Sequence, residues 1–335
     1  MVPRIAGMTL LAAILLCPIV SLGGTWRHDL LDGDSTHTDL AADPAYDAVG
    51  LLLGKTFLCS GTLIDADWVV SAAHCLDRGK ASHYTFDLGG DDRTGAEKFV
   101  HPDWTGSVAG GSDVALLRLN SPFDTTVVPP ANLATAVSLP AQIVSVGFGQ
   151  GGDGLTGASG SAGTKRAGYN QIEQKGSFFG WSDTILLNDF DKPLNGTFDP
   201  AESTFPAPIE DLEFNVAPGD SGGAMFIAGE LAGVTSLGWA SDGNVNSDYG
   251  DGGGFTDLTM FNDWIDGVLD GGGADDGGGG GGPPPGRGRP FGFTGGSART
   301  LTSPVPEASS GTLVTVALLA LAWARRRRAP CGAGG

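Results

Sequence analysis

Positive charge is scarce in this 335-residue chain: 19 Lys and Arg stand against 38 Asp and Glu, for a formal net charge of −19 at pH 7. A phosphate-backbone site needs clustered basic side chains, so nucleic acid is set aside as a partner. The acidic balance favours solubility and neutral or cationic substrates. Cysteine is scarce too, at four residues. No segment repeats at solenoid length, and the apolar runs near the two ends fall short of the ~20 residues a spanning helix needs. A hydrophobic content of 41% still suffices for a buried core, in one large domain or two small ones.

The ends differ from the middle. Met1-Val2-Pro3-Arg4, an apolar run from Met8 to Val20 and the small residues Ser21 and Gly23 read as a signal peptide over residues 1–23, with the mature chain starting near Gly24. Cys17 follows Leu16, where lipid attachment would want a small residue. Beyond Leu269, glycine runs and Pro283-Pro284-Pro285 make residues 271–303 a linker that cannot bury enough apolar surface to order itself. Residues 304–329 hold Val305-Pro306-Glu307-Ala308, an apolar stretch from Thr312 to Ala324 and the cluster Arg325 to Arg328. The arginines keep that end cytoplasmic. This arrangement resembles the PEP-CTERM sorting tail of certain Gram-negative bacteria, with Ala308 in place of the second proline. The resemblance implies transient membrane association through the tail, its removal, and a protein left at the cell surface or outside the cell.

Between 41 and 270 the apolar segments are short and separated by Gly, Pro, Asp and Ser: Val49 to Leu53, Thr56 to Ile64, Trp68 to Ser71, Val114 to Leu119, Ile143 to Phe148, Ala224 to Ile227 and Leu231 to Leu237. Such spacing predicts an all-β barrel or sandwich. Phe261, Trp264, Ile265 and Val268 recur at helical intervals, so one amphipathic helix closes the domain. Gly149 to Gly168 reads as a long surface loop that shapes a cleft. Asn188-Asp189-Phe190-Asp191 and Asn195-Gly196-Thr197-Phe198-Asp199 lack the spacing of a known calcium loop and read as solvated turns. Asn195-Gly196-Thr197 matches a glycosylation acceptor, taken as a chance match.

Three short segments carry chemistry. Ser71-Ala72-Ala73-His74-Cys75 follows a strand, Ser112-Asp113-Val114-Ala115-Leu116-Leu117 opens one, and Pro218-Gly219-Asp220-Ser221-Gly222-Gly223 precedes another. Cleaving a peptide bond with a serine requires a base beside the hydroxyl, a carboxylate to orient the base, and donors for the oxyanion. In this order the segments resemble the trypsin-like serine proteases, over about Val49 to Leu269. The resemblance implies two six-stranded antiparallel β-barrels with a C-terminal helix and a serine endopeptidase acting on protein or peptide substrates, with no cofactor and no metal. It gives Ser221 as nucleophile, His74 as base, Asp113 as its orienting carboxylate, and the N–H groups of Gly219 and Ser221 as the oxyanion hole. Activity should rise with pH, because only a neutral imidazole accepts the serine proton.

With Cys17 and Cys331 in the terminal segments, Cys59 and Cys75 remain, and an even pair in an exported domain favours a disulfide. In the family a bridge joins the corresponding positions. Gly233 to Gly238 resembles the family's substrate-binding strand, so Ser236, Leu237 and Gly238 are candidates to line the cleft. Asn215 falls at the pocket floor, where a neutral side chain cannot compensate a buried cation, and strict Arg or Lys specificity is not expected. The run from Gly252 to Phe255 implies an open pocket for medium-sized or aromatic side chains. The activating Ile-Val-Gly-Gly of many members is absent, which leaves Asp220 in need of a partner: the α-amino group exposed by signal cleavage, or Arg27. The competing reading is an inactive surface protein that keeps the fold as a binding module. An esterase-like hydrolase is disfavoured, because Ser221 lacks the Gly-x-Ser-x-Gly elbow.

Overall fold

A computed structural model describes residues 24–194, 197–199, 201–205 and 210–271. The expected signal peptide, sorting tail and all of the linker beyond Gly271 lie outside the described residues, as do Asn195 and Gly196 of the glycosylation match.

The chain opens with β1 (Gly24–Trp26) and α1 (Gly33–Ala41). Then β2 (Val49–Leu53), β3 (Leu58–Asp65), β4 (Trp68–Ser71), β5 (Thr85–Leu88), β6 (Asp91–Val100) and β7 (Ala115–Leu119) close a barrel in the order β2-β3-β4-β7-β6-β5. A short helix, α2 (Ala73–Leu76), follows β4. Period-2 alternation sorts the apolar side chains to two destinations. Val69 and Leu117 enter the barrel core with Leu52, Leu63 and Phe86. Their neighbours Val70 and Leu116 face outward, into a second core shared with Val146, Phe226, Leu231 and Ile265. Each such buried side chain contributes on the order of 2 kcal/mol.

The second half contains β8 (Ala141–Gly147), β9 (Gly151–Asp153), β10 (Gly157–Ala158), β11 (Arg166–Ile172), β12 (Gln174–Lys175), β13 (Ile185–Leu187), the hairpin β14 (Pro193–Leu194) and β15 (Thr197–Phe198), then β16 (Phe214–Asn215), β17 (Ala224–Ile227), β18 (Glu230–Ala240) and β19 (Asp251–Asp257). The all-β class holds, with α3 (Asn262–Leu269) at the end burying Ile265 and Val268 as its periodicity predicts. The second barrel is not closed among the described residues. It is a seven-stranded sheet in the order β11-β8-β17-β18-β19-β13-β12, beside a four-stranded sheet β10-β9-β1-β16.

Two expectations change. Gly149 to Gly168 is only partly loop: β9 and β10 lie inside it, and β9 pairs in parallel with β1. The fold also reaches back before residue 41, because Thr25 is fully buried and pairs with Asn215. Helix α1 packs on β11, setting the His37 ring between Trp26 and Phe214 with its Nδ1 bonded to the Ala167 carbonyl at 2.7 Å.

Candidate active site

Pairing of Ser71 with Ala115 brings the end of β4 against the start of β7, so the residues just outside the ladder, His74 and Asp113, meet. The His74 amide donates to Asp113 Oδ1 at 2.9 Å and its ring Nδ1 lies 2.7 Å from Asp113 Oδ2. Since a carboxylate only accepts, Nδ1 carries the proton and Nε2 is left as the accepting nitrogen. Asp113 is fully buried. A third donor, the Ser236 hydroxyl, reaches Oδ2 at 2.6 Å, and Thr256 Oγ1 donates to the Asp113 carbonyl at 3.1 Å. Charge-assisted bonds of this kind compensate the desolvation of a buried carboxylate. Ser112, at φ 56°, makes the sharp entry into this position at a cost of about 1–2 kcal/mol.

Ser221 sits in the turn between β16 and β17. Gly219 and Gly222 have φ of 103° and 77°, the left-handed region open to glycine. Space is short as well: a Cβ on Gly222 would lie 2.0 Å from Ser71 Oγ, and one on Gly223 would lie 2.6 Å from the Val146 carbonyl. The first barrel grips this turn through Ser60. Its amide donates to the Ser221 carbonyl at 2.8 Å, and its hydroxyl donates to the Gly219 carbonyl at 3.1 Å while accepting from the Phe148 amide at 3.0 Å. Ser60 adjoins the Cys59–Cys75 disulfide, which also tethers the residue after His74. Cys75 Sγ, having no hydrogen, touches the Ser221 carbonyl oxygen at 3.7 Å. His74 and Ser221 line one open cleft of about 720 Å³, with Phe57, Tyr84 and Trp104 around it.

The sequence profile of the family described as Trypsin matches residues 42–184 and 205–265. The chain belongs to the trypsin family. Its relatives include snake venom serine proteinase 14 of Crotalus adamanteus, 28% identical over 225 residues that cover 64% of this chain and 78% of the relative. Cationic trypsin-3 of Rattus norvegicus is 27% identical over 234 residues, 65% of this chain and 81% of its own. Among solved structures, mouse neuropsin, a brain serine protease, matches in fold with a TM-score of 0.51, covering 68% of this chain and 96% of its own at 21% identity.

Asp220 of this trypsin-family chain is buried, and its carboxylate accepts from the Gly149 amide at 2.6 Å and the Ala217 amide at 2.9 Å. Burial pushes its pKa up to about 6, against those two bonds and the Arg166 charge. Arg27 is not its partner: that guanidinium holds Asp29 at 2.8 Å and the Glu210 carbonyl at 2.9 Å. Leu237 is half-buried and Gly238 exposed, and neither is among the residues that line the cleft of His74 and Ser221. Ser236 instead turns its hydroxyl inward to Asp113, a link that nothing in its sequence surroundings signalled. Asn215 is buried; its Oδ1 accepts from the Val216 amide at 3.0 Å and its Nδ2 has no partner among the described residues. The role of Ser60 was likewise unread, since a serine after a strand cysteine has no motif of its own. Among the described residues the one set of three or more His, Cys, Asp or Glu with donor atoms within 4.8 Å of one another is Cys59, His74 and Cys75, and the disulfide already uses both sulfurs.

Proposed function

We propose that this chain is a secreted or cell-surface serine endopeptidase that hydrolyses peptide bonds through an acyl-enzyme on Ser221. The observation that carries the proposal is the bonding of His74 Nδ1 to a fully buried Asp113, which makes Nε2 the proton acceptor beside the cleft His74 shares with Ser221. In this reading Ser221 attacks the carbonyl carbon while His74 takes the hydroxyl proton. His74 then delivers that proton to the departing amine, water enters, and the same ring activates it to release the acid. Asp113 keeps the tautomer and stabilises the imidazolium. The Gly219 and Ser221 N–H groups stabilise the oxyanion, in a turn that positive φ at Gly219 permits. No cofactor takes part.

Leu237 and Gly238 offer β18 to the substrate backbone, and the neutral Asn215 suits medium-sized or aromatic side chains over Arg or Lys. Relatives named as venom proteinases support export, in keeping with a signal peptide before Gly24 and a PEP-CTERM-like tail that is removed. Cleavage after Gly23 would create an α-amino group at the start of β1. Gly24 there pairs with Gly151, close in sequence to the Gly149 amide that bonds Asp220, which favours that amino group as the missing partner.

The test is intact-mass analysis of purified protein after a fluorophosphonate, with Ser221→Ala and His74→Ala in parallel. One adduct, absent from Ser221→Ala and strongly slowed in His74→Ala, is expected. A correctly folded protein that takes no adduct would mean either that activation needs a different N-terminus or that the chain is the binding module of the competing reading.

A further inference from the structure

The segment read as a solvated turn is inside the protein. Asp189, Phe190 and Asp191 are 1%, 0% and 2% exposed, and Glu213, which precedes β16, is 2% exposed. Glu173, just after β11, has its Oε2 out of contact with solvent and lies near enough to Asp189, Asp191 and Glu213 for their charges to act on it. Three stretches of chain that are distant in sequence therefore bring four carboxylates together.

Their bonding is incomplete. Asp189 Oδ2 accepts from the Thr204 and Phe205 amides at 2.6 Å each. Glu213 accepts from the Asp191 amide at 2.6 Å and the Glu210 amide at 3.0 Å. Asp191 Oδ1 and Glu173 Oε2 are buried and have no hydrogen-bond partner among the described residues, while the Ser203 hydroxyl gives the Asp191 carboxylate partial support. Among the described residues no Lys, Arg or His forms an ion pair with any of the four; Arg27, whose charge reaches Glu213, pairs with Asp29, and Arg166 pairs with Asp34. Burial raises the pKa of all four, and mutual repulsion adds to it for Glu173, Asp191 and Glu213. Buried charges in proteins are paired, neutralised by protons, or bound to metal. A donor set made only of carboxylate oxygens suits a hard cation with flexible coordination.

We propose that Glu173, Asp189, Asp191 and Glu213 form a binding site for a divalent cation of the calcium type. None of the four lines the cleft of His74 and Ser221. The oxygens are spaced more widely than a closed coordination shell, so binding draws the segments around 173, 189–191 and 213 together. That contraction reaches the β19 wall through Asn188, whose Nδ2 donates to the Asp189 carbonyl at 3.1 Å and whose Oδ1 accepts from the Gly253 amide at 3.0 Å.

The experiment takes the full chain, stripped with chelator, at neutral pH. Thermal unfolding and isothermal titration are followed as calcium chloride alone is added, with magnesium chloride as comparison. The Tm should rise with calcium, by roughly 5 °C once calcium is a hundredfold above its Kd. Glu173→Gln and Asp191→Asn should each lose the calcium response and the heat of binding, yet be more stable than metal-free wild type, because each removes a buried carboxyl that the metal-free fold must either protonate or hold as an unpaired charge. Asp153→Asn, at a partly exposed carboxylate outside the cluster, should respond as wild type does. A folded wild type with neither Tm shift nor heat overturns the proposal, as does a response that survives in both Glu173→Gln and Asp191→Asn. Metal-free stability that falls as pH rises, with no calcium response, would mean that the four hold protons instead.

Discussion

Asp113 and Asp191 are equally hidden, at 0% and 2% exposure, but their surroundings differ. Around Asp113 the His74 amide, the His74 ring and the Ser236 hydroxyl converge on two oxygens. Around Asp191 the charged neighbours are other carboxylates, with the Ser203 hydroxyl as a donor to the group, and Oδ1 has no donor among the described residues. The first site is built from ladder ends whose register fixes every donor. The second is built where three loops meet, and among the described residues no basic side chain forms an ion pair with it. Burial alone therefore does not make a carboxylate useful as an anion; the donors around it do.

The largest way to break the contrast is Asp113→Asn, which keeps the shape but offers His74 the wrong tautomer. Under the proposed mechanism kcat should fall about ten-thousand-fold, with Tm little changed, measured on a chromogenic peptide. Next comes the anchor of the first site. Replacing both Cys59 and Cys75 by alanine opens a loop of 16 residues and should cost about 3 kcal/mol in urea unfolding.

A pH series separates the regions further. Burial and neighbouring carboxylates push Glu173 up to about 10. The folded state thus keeps a proton that the unfolded chain releases, and this stability, full below the ordinary carboxylate pKa near 4, is lost as pH rises towards 10. His37 runs the other way: burial holds it down to about 4, so the unfolded chain gains a proton first and stability drops by on the order of 3 kcal/mol as pH falls from 6.5 to 4. Metal-free wild type should show a stability maximum between these limbs, whereas His37→Leu should lose the acid limb in urea midpoints measured across pH. The smallest expected effect is that of Ser236→Ala, which takes one donor from Asp113 and makes it more like Asp191. A cost of about 2 kcal/mol in stability is expected.

The contrast also marks what the sequence could say. His74, Asp113 and Ser221 could be nominated because each sits in a short motif at a strand end, and β2, β4 and β17 coincide with compact apolar runs. Helix α1 was not legible, since its buried face consists of Gly33, His37 and Ala41 and shows no apolar period. Strand β19 hid behind Gly252, Gly253 and Gly254, which have no side chains to alternate. Asp189 and Asp191 looked solvated because they are polar; in the fold Asp189 meets the Phe205 amide and the Asp191 amide meets Glu213, contacts that no local window contains. Arg27 failed as a partner for Asp220 for a similar reason: Asp29, two residues away, claims it first.

Ser60 sets one further consequence. A single residue of the first barrel holds the carbonyls on both sides of Asp220, although 159 positions separate it from Gly219. The turn around Ser221 is thus a keystone with its abutment in the other half of the molecule. A second half expressed alone would lack the anchor that shapes that turn, and labelling at Ser221 would report whether the two halves had come together, whatever the substrate.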